Sequence, residues 1–237
     1  MADIVVPGGS SSTPLRAYVA VPTVGPGPWP GVVLLHEVLG LTDDIRAHAR
    51  RLAAAGYLTV APDLFSAGGV LRCLRSTFGA LTRGHGPAVD DITAVRSWLS
   101  DRPDCTARVG VVGFCMGGGF ALLMAARGFD VAAPSYGPLP RDAGAALAGA
   151  CPVVASYGRR DPMMRGVGDR LDAVLTELGV EHDVVTYAGA GHSFMNHHPV
   201  GPFRALQRVV GLGYDAAAAD DAWGRIVRFL DQHLHEP

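Results

Sequence analysis

One stretch of this chain has residue types and spacing suited to covalent catalysis: Gly113-Phe114-Cys115-Met116-Gly117-Gly118. It follows a short β-branched run, Arg108 to Val112, and precedes an apolar run, Gly119 to Ala126. Strand, sharp turn and helix in that order make a G-x-nucleophile-x-G elbow, here with a thiol at its tip. The turn strains its central residue, and glycines on either side let the helix pack close to the strand. At a helix N-terminus, unpaired N–H groups and the helix dipole favour a thiolate over a thiol. Taken alone, the stretch reads equally well as a small buried hydrophobe with packing glycines. It is not a phosphate loop, because it lacks the Walker lysine and completes no G-x-G-x-x-G.

The partners decide between those readings. A cysteine nucleophile needs a base, and the base needs an orienting acid. Asp161 ends Tyr157-Gly158-Arg159-Arg160-Asp161, and His192 lies in Gly189-Ala190-Gly191-His192-Ser193-Phe194. Each alone is an ordinary loop residue. Together with Cys115 they fall in the chain order nucleophile, acid, histidine, each just beyond a proposed strand. Glu37 has the same placement after Val32 to His36. His36-Glu37 is not a zincin motif, since Gly40 stands where its second histidine belongs. The pair His197-His198 reads as a solvated loop, and no metal is assigned.

Several elements must position these residues. Leu15 to Val21 alternates and ends at Pro22, as an antiparallel edge strand would, after a loose polar entry over residues 1–12. Buried strands are expected at Val32 to His36, Tyr57 to Ala61, Arg108 to Val112, Asp130 to Pro134, Pro152 to Tyr157 and Asp183 to Tyr187. Helices are expected after Thr42, over Asp90 to Leu99, over Gly119 to Ala126, over Asp169 to Leu178 and over Trp223 to Leu234. Residues 64–86 carry Arg72, Arg75 and Arg83 among apolar residues, a pattern that suits a helical lid or insertion. Alternating strands and helices make the fold α/β: one mostly parallel sheet with helices on both faces, in a single domain spanning 1–237. Sites in such sheets form at the carboxyl ends of the strands.

Composition removes other classes of function. Hydrophobic residues make up 49% and charged residues 18% of 237 positions, which fits a compact domain rather than a disordered chain. A formal charge of −2 gives no reason to expect nucleic acid as partner. All 20 basic residues are arginine, so Schiff-base and phosphate-loop-lysine chemistry are excluded. Cys73, Cys105, Cys115 and Cys151 form no C-x-x-C pair or zinc spacing, and the three apart from the elbow thiol (Cys73, Cys105 and Cys151) read as structural or incidental. With no signal pattern at the N-terminus and no apolar run of membrane length, a cytoplasmic protein with reduced thiols and no membrane association is expected.

The whole set of stretches resembles the dienelactone hydrolase family, α/β-hydrolases with a Cys-Asp-His triad. The matching segments are His36-Glu37-Val38-Leu39-Gly40-Leu41, Ala61-Pro62-Asp63-Leu64, Val111 to Gly118, Tyr157 to Asp161 and Ala190 to Phe194. The resemblance implies the α/β-hydrolase fold and cofactor-free hydrolysis of a small ester or lactone through an acyl-cysteine. It makes Cys115 the nucleophile, His192 the base and then the acid, and Asp161 the group that fixes the imidazole. Backbone N–H groups of Val38 and Met116 would form the oxyanion hole, and Glu37 would interact with the resting thiol. Tyr136 matches a tyrosine near the pocket. Family members that take dienelactone grip its carboxylate with arginines, one of them four residues after the histidine. Asn196 stands at that position here, and the second arginine would be Arg72 or Arg75. An ester or lactone substrate follows, with the pocket altered away from dienelactone. Another acyl transfer or thiol redox step, or a non-catalytic role on the same fold, remain the competing readings.

Overall fold

The computed structural model describes residues 2–7, 14–197 and 213–235. Among them, eight strands form one sheet: β1 (Ala2–Val6), β2 (Leu15–Ala20), β3 (Trp29–Leu35), β4 (Leu58–Pro62), β5 (Cys105–Phe114), β6 (Val131–Ser135), β7 (Val153–Gly158) and β8 (His182–Tyr187). Their order is β1-β2-β4-β3-β5-β6-β7-β8. The first two joins, β1 to β2 and β2 to β4, are antiparallel. All later joins are parallel. The described helices are α1 (Asp43–Ala54), α2 (Gly69–Arg83), α3 (Pro87–Ser100), α4 (Met116–Met124), α5 (Ala143–Leu147), α6 (Val167–Glu177) and α7 (Ala216–Leu234). No helix among the described residues is long and apolar enough to cross a membrane.

The central strands are apolar on both sides because both faces are covered. Val33, Leu35 and Val111 point into a core shared with residues of α2, α3, α4 and α6. Val32, Leu34 and Val112, one position away in the pleat, point into a second core closed by α1 and α7. Arg225 ties α7 to the sheet edge. Its Nε donates to Asp183 Oδ2 at 2.9 Å and its Nη2 to the Asp183 carbonyl at 2.6 Å.

One expectation about the first half of the chain needs correction. Leu15–Ala20 is not an edge strand, because Ala2–Val6 pairs along its whole length from Ala2 opposite Val19 to Val6 opposite Leu15. Five residues, Ala-Asp-Ile-Val-Val, are too few to announce a strand beside a glycine- and serine-rich stretch; pairing supplies what local propensity does not. Within residues 64–86, Gly69–Arg83 forms the 15-residue α2, whose Cys73, Thr77 and Ala80 are buried while Arg72, Arg75 and Arg83 face outward. It packs as an outer-layer helix beside α3 and α4. The closing helix begins earlier than its apolar stripe suggests. Asp215 caps it by accepting the Ala218 N–H at 3.2 Å, and the alanine run 216–219 forms its first turn.

Candidate active site

The elbow has the expected strain. Cys115 lies between β5 and α4 with φ 52° and ψ −115°, a conformation L-residues rarely adopt. Its own N–H donates to the Ser135 carbonyl of β6 at 3.0 Å, and its carbonyl accepts from Gly119 N–H at 3.1 Å. Gly117 permits the turn. A Cβ there would stand 2.3 Å from the Leu35 carbonyl oxygen and 2.7 Å from that of His36. The N-terminus of α4 is therefore pressed against the end of β3, which brings Met116 beside the loop that carries Glu37 and Val38. Met116 is buried, whereas Cys115 and Val38 remain partly exposed.

Two loops at the carboxyl edge deliver the other residues. Asp161, beyond β7, accepts the N–H groups of Met163 and Met164 on Oδ1 at 2.8 and 3.1 Å. Its Oδ2 accepts from His192 Nδ1 at 2.6 Å. His192 follows β8, and its ring meets the edge of Tyr136 at a centroid distance of 5.3 Å. Burial alone would push the imidazole below its ordinary pKa of 6.5. The Asp161 bond and the neighbouring Cys115 sulfur outweigh burial and lift it to about 9. Nδ1 is committed to the carboxylate, so Nε2 is the atom available to sulfur and substrate. Cys115, Asp161 and His192 are thus assembled from β5, β7 and β8.

Glu37 is buried at 2% exposure. Burial is the main influence on its carboxyl; a hydrogen bond from the Asn196 side chain opposes it, and the Asp44 charge adds to it. The result is a pKa raised from 4.5 to about 7. Asn196 is thus a neighbour of the carboxyl expected to engage the thiol. Asn196 is itself fully buried, and its Oδ1 accepts a short hydrogen bond from the Tyr136 hydroxyl. Tyr136 and Asn196 therefore form a buried polar pair, with Glu37 as a neighbour. Arg72 and Arg75 are exposed on α2 and are not brought into this group. Of the histidine pair, His198 lies outside the described residues, and His197 has its ring against Tyr214 at 3.7 Å.

Asp44, in the first turn of α1, has a role that its position in the sequence does not announce. Its Oδ2 accepts the His197 N–H at 3.2 Å and lies 3.5 Å from His48 Nε2. It anchors the chain just past Asn196 while raising the pKa of Glu37. An acid in a helix's first turn is too common to signal such a role.

The raised pKa values set the sign of a stability effect. Glu37 takes up its proton more readily folded than unfolded, so its contribution is present below pH 4.5 and is lost as pH rises through about 7. His192 contributes fully below pH 6.5 and loses that contribution as pH rises through about 9. Glu37→Gln should therefore flatten the fall in melting temperature between pH 4.5 and 7 and leave the fall between 6.5 and 9 in place. An unchanged slope in the lower window would show that Glu37 titrates normally.

Comparison with known proteins identifies the family and the fold. The profile described as "Dienelactone hydrolase family" matches residues 15–234. A carboxymethylenebutenolidase from Rhodococcus opacus is 28% identical over 234 residues, covering 86% of this chain and 81% of that protein. A dienelactone hydrolase-like promiscuous phosphotriesterase from metagenomic libraries superposes with a TM-score of 0.79 at 23% identity, covering 98% of each chain. An esterase from Pyrobaculum calidifontis gives 0.66 at 19% identity, covering 98% of this chain and 84% of that one. Both solved structures support the α/β-hydrolase architecture.

Proposed function

The chain belongs to the dienelactone hydrolase family, and from that membership we propose that it hydrolyses carboxylic esters or lactones through an acyl-cysteine intermediate. The observation that carries this reading is the His192 ring, locked to Asp161 through Nδ1 at 2.6 Å and electrostatically coupled to the Cys115 sulfur. Attack of the Cys115 thiolate on the carbonyl carbon forms the C–S bond and moves one electron pair onto oxygen. The Val38 and Met116 N–H groups stabilise that oxyanion, where one donor is worth about 100-fold or more. Collapse breaks the C–O bond, and the His192 imidazolium gives its proton to the departing alkoxide. His192, now neutral, removes a proton from water, which attacks the thioester and releases the acid and the thiolate.

The residue at position 196 bears on the choice of substrate. Asn196 cannot give a carboxylate the charge-assisted bidentate bond that arginine gives, and its oxygen already accepts from Tyr136. Neutral esters and lactones are therefore the favoured class. A panel of esters and lactones, with and without carboxylates, tests both parts. Wild type should turn over neutral members best and show, by mass spectrometry, an acyl adduct on Cys115. Asn196→Arg should raise kcat/KM on anionic lactones by about tenfold, the scale of one charge-assisted bond. Turnover without an adduct, or easy sulfenylation without turnover, would overturn the acyl-cysteine route.

A further inference from the structure

We infer that His36 is a positioning residue for the oxyanion hole, orienting the Glu37–Val38 peptide by a fixed ring tautomer. This inference rests on the reading above, in which Val38 N–H is one of the two donors. His36 is fully buried at the end of β3, with its ring 4.9 Å from that of Phe65. The Leu64 N–H lies 3.0 Å from Nε2. A backbone N–H can only donate, so Nε2 must present its lone pair, and the ring proton must sit on Nδ1. Nδ1–H in turn donates to the Glu37 carbonyl at 2.6 Å. Burial is the main influence on the ring and pushes its pKa down, against the Glu37 carbonyl and the Asp63 charge 3.9 Å away. The neutral form, the only one that can bond in both directions here, is thereby retained.

The consequence lies in the planarity of the peptide. The Glu37 carbonyl and the Val38 N–H belong to one trans unit, so they point in opposite directions. The carbonyl is held twice, by His36 Nδ1–H and by Gly40 N–H at 3.1 Å. Fixing the oxygen fixes the N–H. The ring thus ties the loop after β3, which carries a proposed oxyanion donor, to the loop after β4, which starts at Asp63 and Leu64. His36 touches neither sulfur nor substrate in this scheme; it acts through a peptide plane.

Two reactions of the same sulfur separate this role from a general structural one. Acylation by an ester builds an oxyanion, whereas alkylation by iodoacetamide displaces iodide at carbon and builds none. His36→Phe keeps a buried ring but removes both hydrogen bonds. It should slow ester acylation of Cys115 by about 10- to 100-fold, as outer supporting residues do, with KM within about twofold and alkylation within about twofold of wild type. His36→Gln, which retains one donor and one acceptor, should acylate within about threefold of wild type. A folded His36→Phe that acylates at the wild-type rate, or loses alkylation in equal measure, overturns the inference. Should His36→Phe fail to fold, His36→Gln decides: loss of more than tenfold in acylation with alkylation intact refutes the donor–acceptor account, and near-wild-type acylation upholds it. Nitrogen-15 shifts of wild-type His36 that place its proton on Nε2 would refute it independently. If wild type itself forms no acyl adduct, the acyl-cysteine route fails instead, and the two failures are told apart.

Discussion

Cys115→Ala should lower kcat/KM on the best neutral ester by about 10⁴-fold or more, the loss seen when a member of a catalytic triad is deleted. The effect is large because the sulfur is the group that forms the covalent bond in this reading. Asp161 is held by two backbone N–H groups and the imidazole, and burial raises the pKa of the Glu37 carboxyl to about 7. His192→Ala should cost nearly as much, since it removes both the proton acceptor for water and the donor for the leaving alkoxide. The double variant should fall no further than either single one, because the groups act as a unit. Steady-state kinetics with an activated ester reads all three. Additive losses, or retained turnover in Cys115→Ala, would show that the sulfur is not the nucleophile.

Gly117→Ala should produce a large loss of stability for a single added methyl group. The added Cβ would lie 2.3 Å from one main-chain oxygen and 2.7 Å from another, and neither can rotate away as a side chain could. Helix α4 would have to lift off β3. Overpacking of this kind costs about 3 kcal/mol or more, a fall of about 6–12 °C in melting temperature for a chain of this size. Gly144→Ala supplies the control. Its Cβ would meet only an Asp142 oxygen at 3.8 Å within a helix, so its melting temperature should hold or rise. Equal melting temperatures for the two variants would show that α4 can shift freely.

The parts of this protein that are legible in its sequence are those whose signal is local. A thiol between glycines, a histidine in a glycine-rich loop and an aspartate beyond an apolar run each announce themselves within six residues. Their order then narrows the fold. What the sequence leaves hidden depends on which strands become neighbours. The His36 bond to Leu64 spans 28 positions and exists because β4 lies beside β3. The Tyr136 bond to Asn196 spans 60 positions, and it turns a residue notable for not being arginine into part of a polar pair. Asp44 looks like any acid opening a helix, and only the packing of α1 against the loop at His197 gives it a second task. Ala2–Val6 becomes a strand through pairing that five residues could not advertise.

Strand β8 ends the sheet among the described residues, and all six of its positions are only partly covered. The nucleophile, by contrast, hangs from β5, which has a neighbour on each side and helices over both faces. A strand with one neighbour opens at lower cost than one with two. Mild denaturant should therefore fray the element leading to the imidazole first, silencing the enzyme while its central sheet is still intact.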